Sequence, residues 1–291
     1  MEPRTVHFHS DGLRLEADLL LPDAAGERTP VPGIVLCPGF GATRGNDLPG
    51  YAARFAEAGY AALWLDYRGY GGSEGTPERL MAHEQVRDVR AALTFLALQP
   101  QVDAERLGLW GTSGGAAHVI QAAALDERVR CAVAQVGHGD GGRLIADHKR
   151  AEELAALLDL IREDREQRVI SGKSGRMRVI DLISDPATRG FVLSAAETDP
   201  SIITYLTIES AEAAMEYRPI DAVHLIAPRA LMLICAEKDE ICPPSGYREV
   251  FERAGEPKRW ITYPIGHYDI YAPEWVERSS ADALEWFGEW L

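Results

Sequence analysis

Apolar and polar residues alternate along "TVHFHS" and "LRLEADLLLP", on either side of Asp11-Gly12. A period of two around Asp-Gly predicts an opening β-hairpin. The pattern then changes. "VPGIVLCPGF" (31–40), "YAALWLDYRG" (60–69), "RLGLWG" (106–111) and "RVRCAVAQVG" (128–137) are near-continuous apolar runs. Such runs suit strands that are covered on both faces. Between them, residues 47–58, residues 83–98 and "GGAAHVIQAAAL" predict helices. The first stops at Gly59, and Pro100 lies just beyond the second.

The alternation breaks at 138–220, where no comparable strand run occurs. Leu144, His148, Ala151, Leu154, Leu158 and Ile161 recur there at steps of three and four. They predict an amphipathic helix within 144–168. After Pro219 the earlier rhythm returns, with a strand at 229–239, a helix at 244–254, a strand at 258–266 and a terminal helix at 273–291. The prediction is an α/β fold with a mostly parallel central sheet and helices on both faces. Residues 1–137 and 221–291 form this core, and 138–220 form a helical cap inserted over one end of the sheet.

One junction in this pattern carries chemistry. "LGLWGTSGGAAH" (107–118) passes from a strand to a helix through Gly111-Thr112-Ser113-Gly114-Gly115. A tight turn there forces its apex residue toward strained backbone angles, and glycines on either side remove colliding side chains. Ser113 thereby projects past the carboxyl end of a strand, where α/β sheets bind ligands. This is the G-x-S-x-G pattern of a nucleophile elbow.

A serine hydroxyl needs a base, and the base needs an orienting group. Each later strand end offers one. Asp239 follows the strand at 229–236 in "EKDEICPP", with Glu237 and Glu240 as competitors. His267 follows the strand at 258–264 in "IGHYDIY". Asp269, two residues further on, reads as a loop stabiliser. For the oxyanion, the N–H of Gly114 stands at a helix N-terminus, and the glycine-rich "CPGFGATRGN" offers the N–H of Phe40 as its partner.

Composition narrows the function classes. The 291-residue chain has 45 acidic and 30 basic residues, a formal net charge of −15. That balance repels nucleic acid and anionic membranes, so neither is an expected partner. No apolar run approaches the ~20 residues that span a bilayer, and "MEPRTVHFHSDG" has no signal-peptide pattern. Cys37, Cys131, Cys235 and Cys242 show no metal-ligand spacing, and three of them sit in strand-like runs. They read as buried thiols of a cytoplasmic protein, and no metal site is expected.

At this point "CPGFG", "LDYRGYGGSEG", "WGTSGG", "AEKDEICPP" and "IGHYDIY" resemble the motifs of the α/β-hydrolase superfamily, in its order. The resemblance covers the whole chain, with 138–220 in the position of the variable cap. "DYRGYGGSEG" with "GTSGG" is most similar to the branch of dipeptidyl-peptidase-like and acyl-esterase-like hydrolases. It is similar as well to polyketide-associated hydrolases and transferases. Many members have His-Gly at the oxyanion loop, whereas this chain has Cys37-Pro38-Gly39. Backbone donors do not depend on that histidine, but substrate choice can.

The expected activity is cleavage of a carboxylic ester, or a related acyl bond, of a small or medium-sized molecule. Ser113 is the nucleophile, His267 the base and Asp239 its orienter, and the scheme calls for no metal or organic cofactor. His138 and Asp140 follow a strand end and are candidates for substrate contact, as are Tyr205 and Tyr217 in the cap. Tyr67, Arg68 and Tyr70 read as supports of their loop. Amide, lactone, thioester or carbon–carbon cleavage, or acyl transfer, would use the same constellation. His138 is the candidate for stabilising a carbanion or enol. A hydrolase-like binding module is the non-enzymatic alternative. Aromatics in "DALEWFGEWL" suit packing on the sheet better than a dimer seam, and a homodimer stays open.

Overall fold

The computed structural model describes residues 1–184, 188–190, 192–193 and 203–291. The hairpin forms from β1 (Arg4–Ser10) and β2 (Leu13–Leu20), which pair antiparallel with Val6 opposite Ala17. Asp11 (φ 49°) and Gly12 (φ 84°) make the turn, and two positive φ angles match the right-handed twist of the flanking strands. The other central strands are β3 (Val31–Cys37), β4 (Ala61–Leu65), β5 (Val102–Thr112), β6 (Val129–Gln135), β9 (Ala230–Ala236) and β10 (Lys258–Tyr263). They join the hairpin in an eight-stranded sheet ordered β1-β2-β4-β3-β5-β6-β9-β10. From β4 to β10 every pairing is parallel.

Apolar residues on both sides of these strands need two covering layers. On one face, α2 (Ala82–Ala97) and α3 (Gly114–Leu125) supply Val89, Leu93, Leu96, Val119 and Ile120. On the other, α1 (Leu48–Glu57) and α9 (Pro273–Trp290) supply Tyr51, Phe55, Trp286 and Phe287 around Trp110. The Tyr51 and Trp110 rings lie 4.2 Å apart. Each large side chain fully buried in this way contributes about 1.5–3 kcal/mol. The terminal helix thus spends most of its aromatic surface on the sheet, although Trp290 remains partly exposed.

β5 starts earlier than its apolar run suggests. Val102 pairs with Val31 and pairing resumes at Gly33–Leu107, so the polar "DAER" is the irregular, unpaired stretch between two points where β5 meets β3. The helix expected within 144–168 is two helices, α4 (Gly141–Asp147) and α5 (Ala151–Ser171). The break at 148–150 resets the helical phase. Leu144 and Ile161 are buried as expected, whereas Leu158 is exposed, and α5 buries Leu157, Ile161 and Asp164 instead. Gly172, at φ 72°, then ends α5 in the left-handed conformation that glycine adopts without penalty.

A short antiparallel pair, β7 (Arg176–Arg178) and β8 (Tyr205–Thr207), is joined by α6 (Val179–Leu182) and α7 (Ile208–Glu216). These elements share an apolar cluster that includes Ile145, Leu157, Leu182, Leu206 and Ala211. Ile241 and Cys242, in the loop after β9, belong to the same cluster. The helix α8 (Pro244–Arg253) follows that loop. Among the described residues, no helix is long and apolar enough to cross a membrane.

Candidate active site

Ser113 stands between β5 and α3 with φ 54° and ψ −123°, a conformation that side-chain-bearing residues rarely adopt. The surrounding glycines explain how it is held. A Cβ on Gly111 would lie 2.5 Å from the Gly115 carbonyl oxygen, and one on Gly115 would lie 2.2 Å from that of Cys37. Only bare backbone lets the β3 loop and the β5–α3 turn approach this closely.

The structure brings together three side chains from three strand ends. Ser113 Oγ is 3.0 Å from His267 Nε2, and His267 Nδ1 is 2.7 Å from Asp239 Oδ2. The other carboxylate oxygen, Asp239 Oδ1, accepts from the N–H groups of Ile241 (2.9 Å) and Cys242 (2.7 Å). Asp239 and His267 are buried, while Glu237 and Glu240 are exposed. Asp269 accepts from the Gly266 N–H at 2.8 Å and so braces the loop that carries His267.

The amides of Phe40 and Gly114 lie side by side. A Cβ on Gly114 would be 2.9 Å from Phe40 N, and neither N–H has a hydrogen-bond partner among the described residues. The loop behind Phe40 is pinned from below, where Tyr67 Oη donates to the Pro38 carbonyl at 3.4 Å. Arg68 is buried against Asp88 and takes no part in the cavities beside Ser113.

Two cavities flank this centre. One, of about 90 Å³, is lined by Phe40, Ser113, Ile183, Ile241, His267 and Tyr268. The other, of about 40 Å³, is lined by Gln85, Gly114, His118, His138, Leu144 and Tyr217, and it shares Phe40 and Ile183 with the first. Tyr217 is therefore a wall residue here, buried and rooted against the core. Tyr205 lines neither cavity; it is exposed, with the Arg176 guanidinium 4.6 Å from its ring centre. Asp140 caps α4 by accepting from Arg143 N (3.0 Å) and pairs with Arg218. It lines a separate polar cavity on the far side of His138.

His138 lies in the wall between that polar cavity and the smaller cavity beside Gly114. Burial, together with the nearby His267, pulls its pKa down to about 4 against an opposing pull from Asp140, so the ring is neutral at pH 7. Its Nδ1 is buried without a hydrogen-bond partner among the described residues.

The sequence reasoning missed His118 and Gln85. His118 Nε2 is 2.9 Å from Gln85 Oε1, and its Nδ1 is 3.1 Å from Tyr217 Oη. Desolvation pushes its pKa down to about 3. One available signal was the histidine five positions after Ser113 in "GGAAHVIQAAAL", a stretch whose only other polar side chain is Gln121.

Comparison with known proteins agrees with this architecture. The family profile described as X-Pro dipeptidyl-peptidase (S15 family) matches residues 11–160. An uncharacterized 31.7 kDa Escherichia coli protein from the traX-finO intergenic region is 32% identical over 265 residues, covering 89% of this chain and 91% of that one. Thiohydrolase aneE of Aspergillus aculeatus is 28% identical over 87% of this chain and 82% of its own. The crystal structure of the α/β hydrolase GrgF from Penicillium sp. sh18 superposes with a TM-score of 0.86 at 24% identity, over 99% of both chains, a likeness of fold. With the profile spanning more than half of its length, the chain belongs to the X-Pro dipeptidyl-peptidase (S15) family of α/β hydrolases.

Proposed function

We propose that the protein is a serine hydrolase that cleaves a carboxylic ester or thioester of a small or medium-sized molecule through an acyl-enzyme on Ser113. The observation that carries this reading is the continuous hydrogen-bond chain Ser113–His267–Asp239 on a strained strand-to-helix turn. The thioester half draws support from the thiohydrolase relative.

His267 Nε2 accepts the Ser113 proton as Oγ attacks the acyl carbonyl. Asp239 accepts from Nδ1–H, which keeps Nε2 unprotonated for that task and steadies the imidazolium once it forms. The N–H groups of Phe40 and Gly114 donate to the oxyanion. His267 then returns the proton to the leaving oxygen or sulfur, and water repeats the sequence on the acyl-enzyme.

The test is hydrolysis of p-nitrophenyl esters and of matched acyl thioesters, by the wild type and by Ser113→Ala. Turnover that disappears in a folded Ser113→Ala supports the reading. Equal turnover in both proteins removes Ser113 as the nucleophile. A folded wild type that is inert toward every ester and thioester overturns the proposal.

A further inference from the structure

The two cavities beside Ser113 differ in a way that the chemistry can interpret. His267 must protonate the leaving group, so the leaving group lies on the imidazole side of the tetrahedral centre. The larger cavity is the one lined by His267 and Tyr268. The acyl chain must extend from the carbonyl on another side, past the oxyanion donors. The smaller cavity opens beside Gly114 and Phe40 and contains neither Ser113 nor His267 in its wall.

That smaller cavity has a particular polarity. Leu80, Leu144, Ile145, Leu182 and Ala214 make most of its lining apolar. The polar groups His118, Gln85 and Tyr217 are occupied with one another. His138 is the exception, since its Nδ1 is buried without a partner among the described residues. A buried polar atom left unpaired is destabilising, and a ligand that pairs with it removes that penalty. The volume of about 40 Å³ leaves room for only a few heavy atoms.

We infer that this cavity is the acyl subsite, and that it takes a short acyl chain bearing one hydroxyl or keto oxygen, which hydrogen-bonds to His138. The inference rests on Ser113 being the nucleophile. It adds a substrate class, with the larger cavity left to the alcohol or thiol portion. Nδ1 of the neutral His138 ring is a donor in one tautomer and an acceptor in the other, so it suits either oxygen.

The experiment compares kcat/KM for p-nitrophenyl acetate, butyrate, 2-hydroxybutyrate, 3-hydroxybutyrate and octanoate, and for acetate and butyrate esters of a second leaving group of different bulk. The wild type is expected to favour one of the hydroxybutyrates over butyrate by about tenfold, the worth of one hydrogen bond. His138→Leu should bring that ratio close to one. Ala214→Phe, which fills the cavity, should lower butyrate relative to acetate equally for both leaving groups. Leu144→Phe serves the same purpose where the first variant fails to fold. The inference is overturned if neither hydroxybutyrate exceeds butyrate in the wild type. It is overturned as well if filling the cavity changes leaving-group preference and not acyl preference. Failure of the nucleophile reading looks different, because Ser113→Ala then hydrolyses all the esters as well as the wild type does.

Discussion

Ser113 presents its hydroxyl 3.0 Å from His267 Nε2 while its own backbone sits at φ 54° and ψ −123°. A non-glycine residue in such a region costs about 1–3 kcal/mol. Ser113→Ala keeps that cost, whereas Ser113→Gly relieves most of it. Glycine returns part of the gain through its more flexible unfolded chain, about 0.5–1 kcal/mol. The glycine variant is therefore expected to be more stable than the alanine variant by about 1 kcal/mol, with both inactive. Urea unfolding of the two variants reads this directly. Equal midpoints and slopes would mean that the turn holds no strain at Ser113.

Gly114 and Phe40 approach so closely that neither position has slack. A methyl group on Gly114 would fall 2.9 Å from Phe40 N and 3.2 Å from Phe40 Cβ. Gly114→Ala must displace the Phe40 amide from its place beside the Gly114 amide. Loss of one oxyanion donor costs about 2.7–4 kcal/mol of barrier, or about 10²–10³ in kcat. Steady-state kinetics should show that loss in kcat, with little change in KM and with a wild-type circular-dichroism spectrum. A variant of unchanged kcat would remove Phe40 N from the mechanism.

Arg68 is held by Asp88 through Nη2 (2.6 Å) and Nε (3.0 Å), and it donates further to Asp11 (2.9 Å) and Ser10 (3.1 Å). Its side chain is 8% exposed and that of Asp88 is 0% exposed. Arg68→Met would strand a buried carboxylate, at a cost of about 3–5 kcal/mol. The double variant Arg68→Met/Asp88→Leu should recover at least half of that loss, because no unpaired charge remains. Neither change reaches the cavities beside Ser113, so kcat of the folded fraction should hold. Chemical denaturation gives the stabilities. A double variant no better than the single one would mean that the pair itself, and not the stranded charge, carries the energy.

Residues at the ends of apolar runs were legible in the sequence. Ser113, Asp239 and His267 follow β5, β9 and β10, whose hydrophobic runs mark where a buried strand must leave the sheet. Glycines at 111 and 115 carry steric information in the sequence itself. What lies over the sheet was less legible. A helical period persists across residues 144–161, yet the chain breaks at 148–150, where the packing of α4 and α5 against α7 overrides periodicity. Tyr205 and Tyr217 are the same residue type in the same segment. One faces solvent beside Arg176, and the other stands against His118. Only tertiary contacts separate them. His118 is not legible in the same way, because a histidine in a largely apolar helix gives no local sign of whether it faces packing or a cavity.

Burial of His118 gives the protein a pH-sensitive stability. Its folded pKa is pushed down to about 3 by desolvation, with smaller contributions from His138 and His83, while an unfolded histidine titrates near 6.5. The unfolded chain therefore binds a proton that the folded chain refuses. Stability is highest above pH 6.5 and falls as pH drops from there toward 3. At pH 5 the loss from this residue is about 2 kcal/mol, from roughly 1.5 pH units below the unfolded pKa at about 1.4 kcal/mol each. His118→Gln removes the titrating group and keeps a side chain able to face Gln85 and Tyr217. Urea midpoints between pH 7.5 and 5 should fall more steeply for the wild type than for His118→Gln, by an amount equivalent to about 2 kcal/mol. Parallel curves would mean that the imidazole is protonated within the folded protein, and that the Gln85–His118–Tyr217 wall carries a charge.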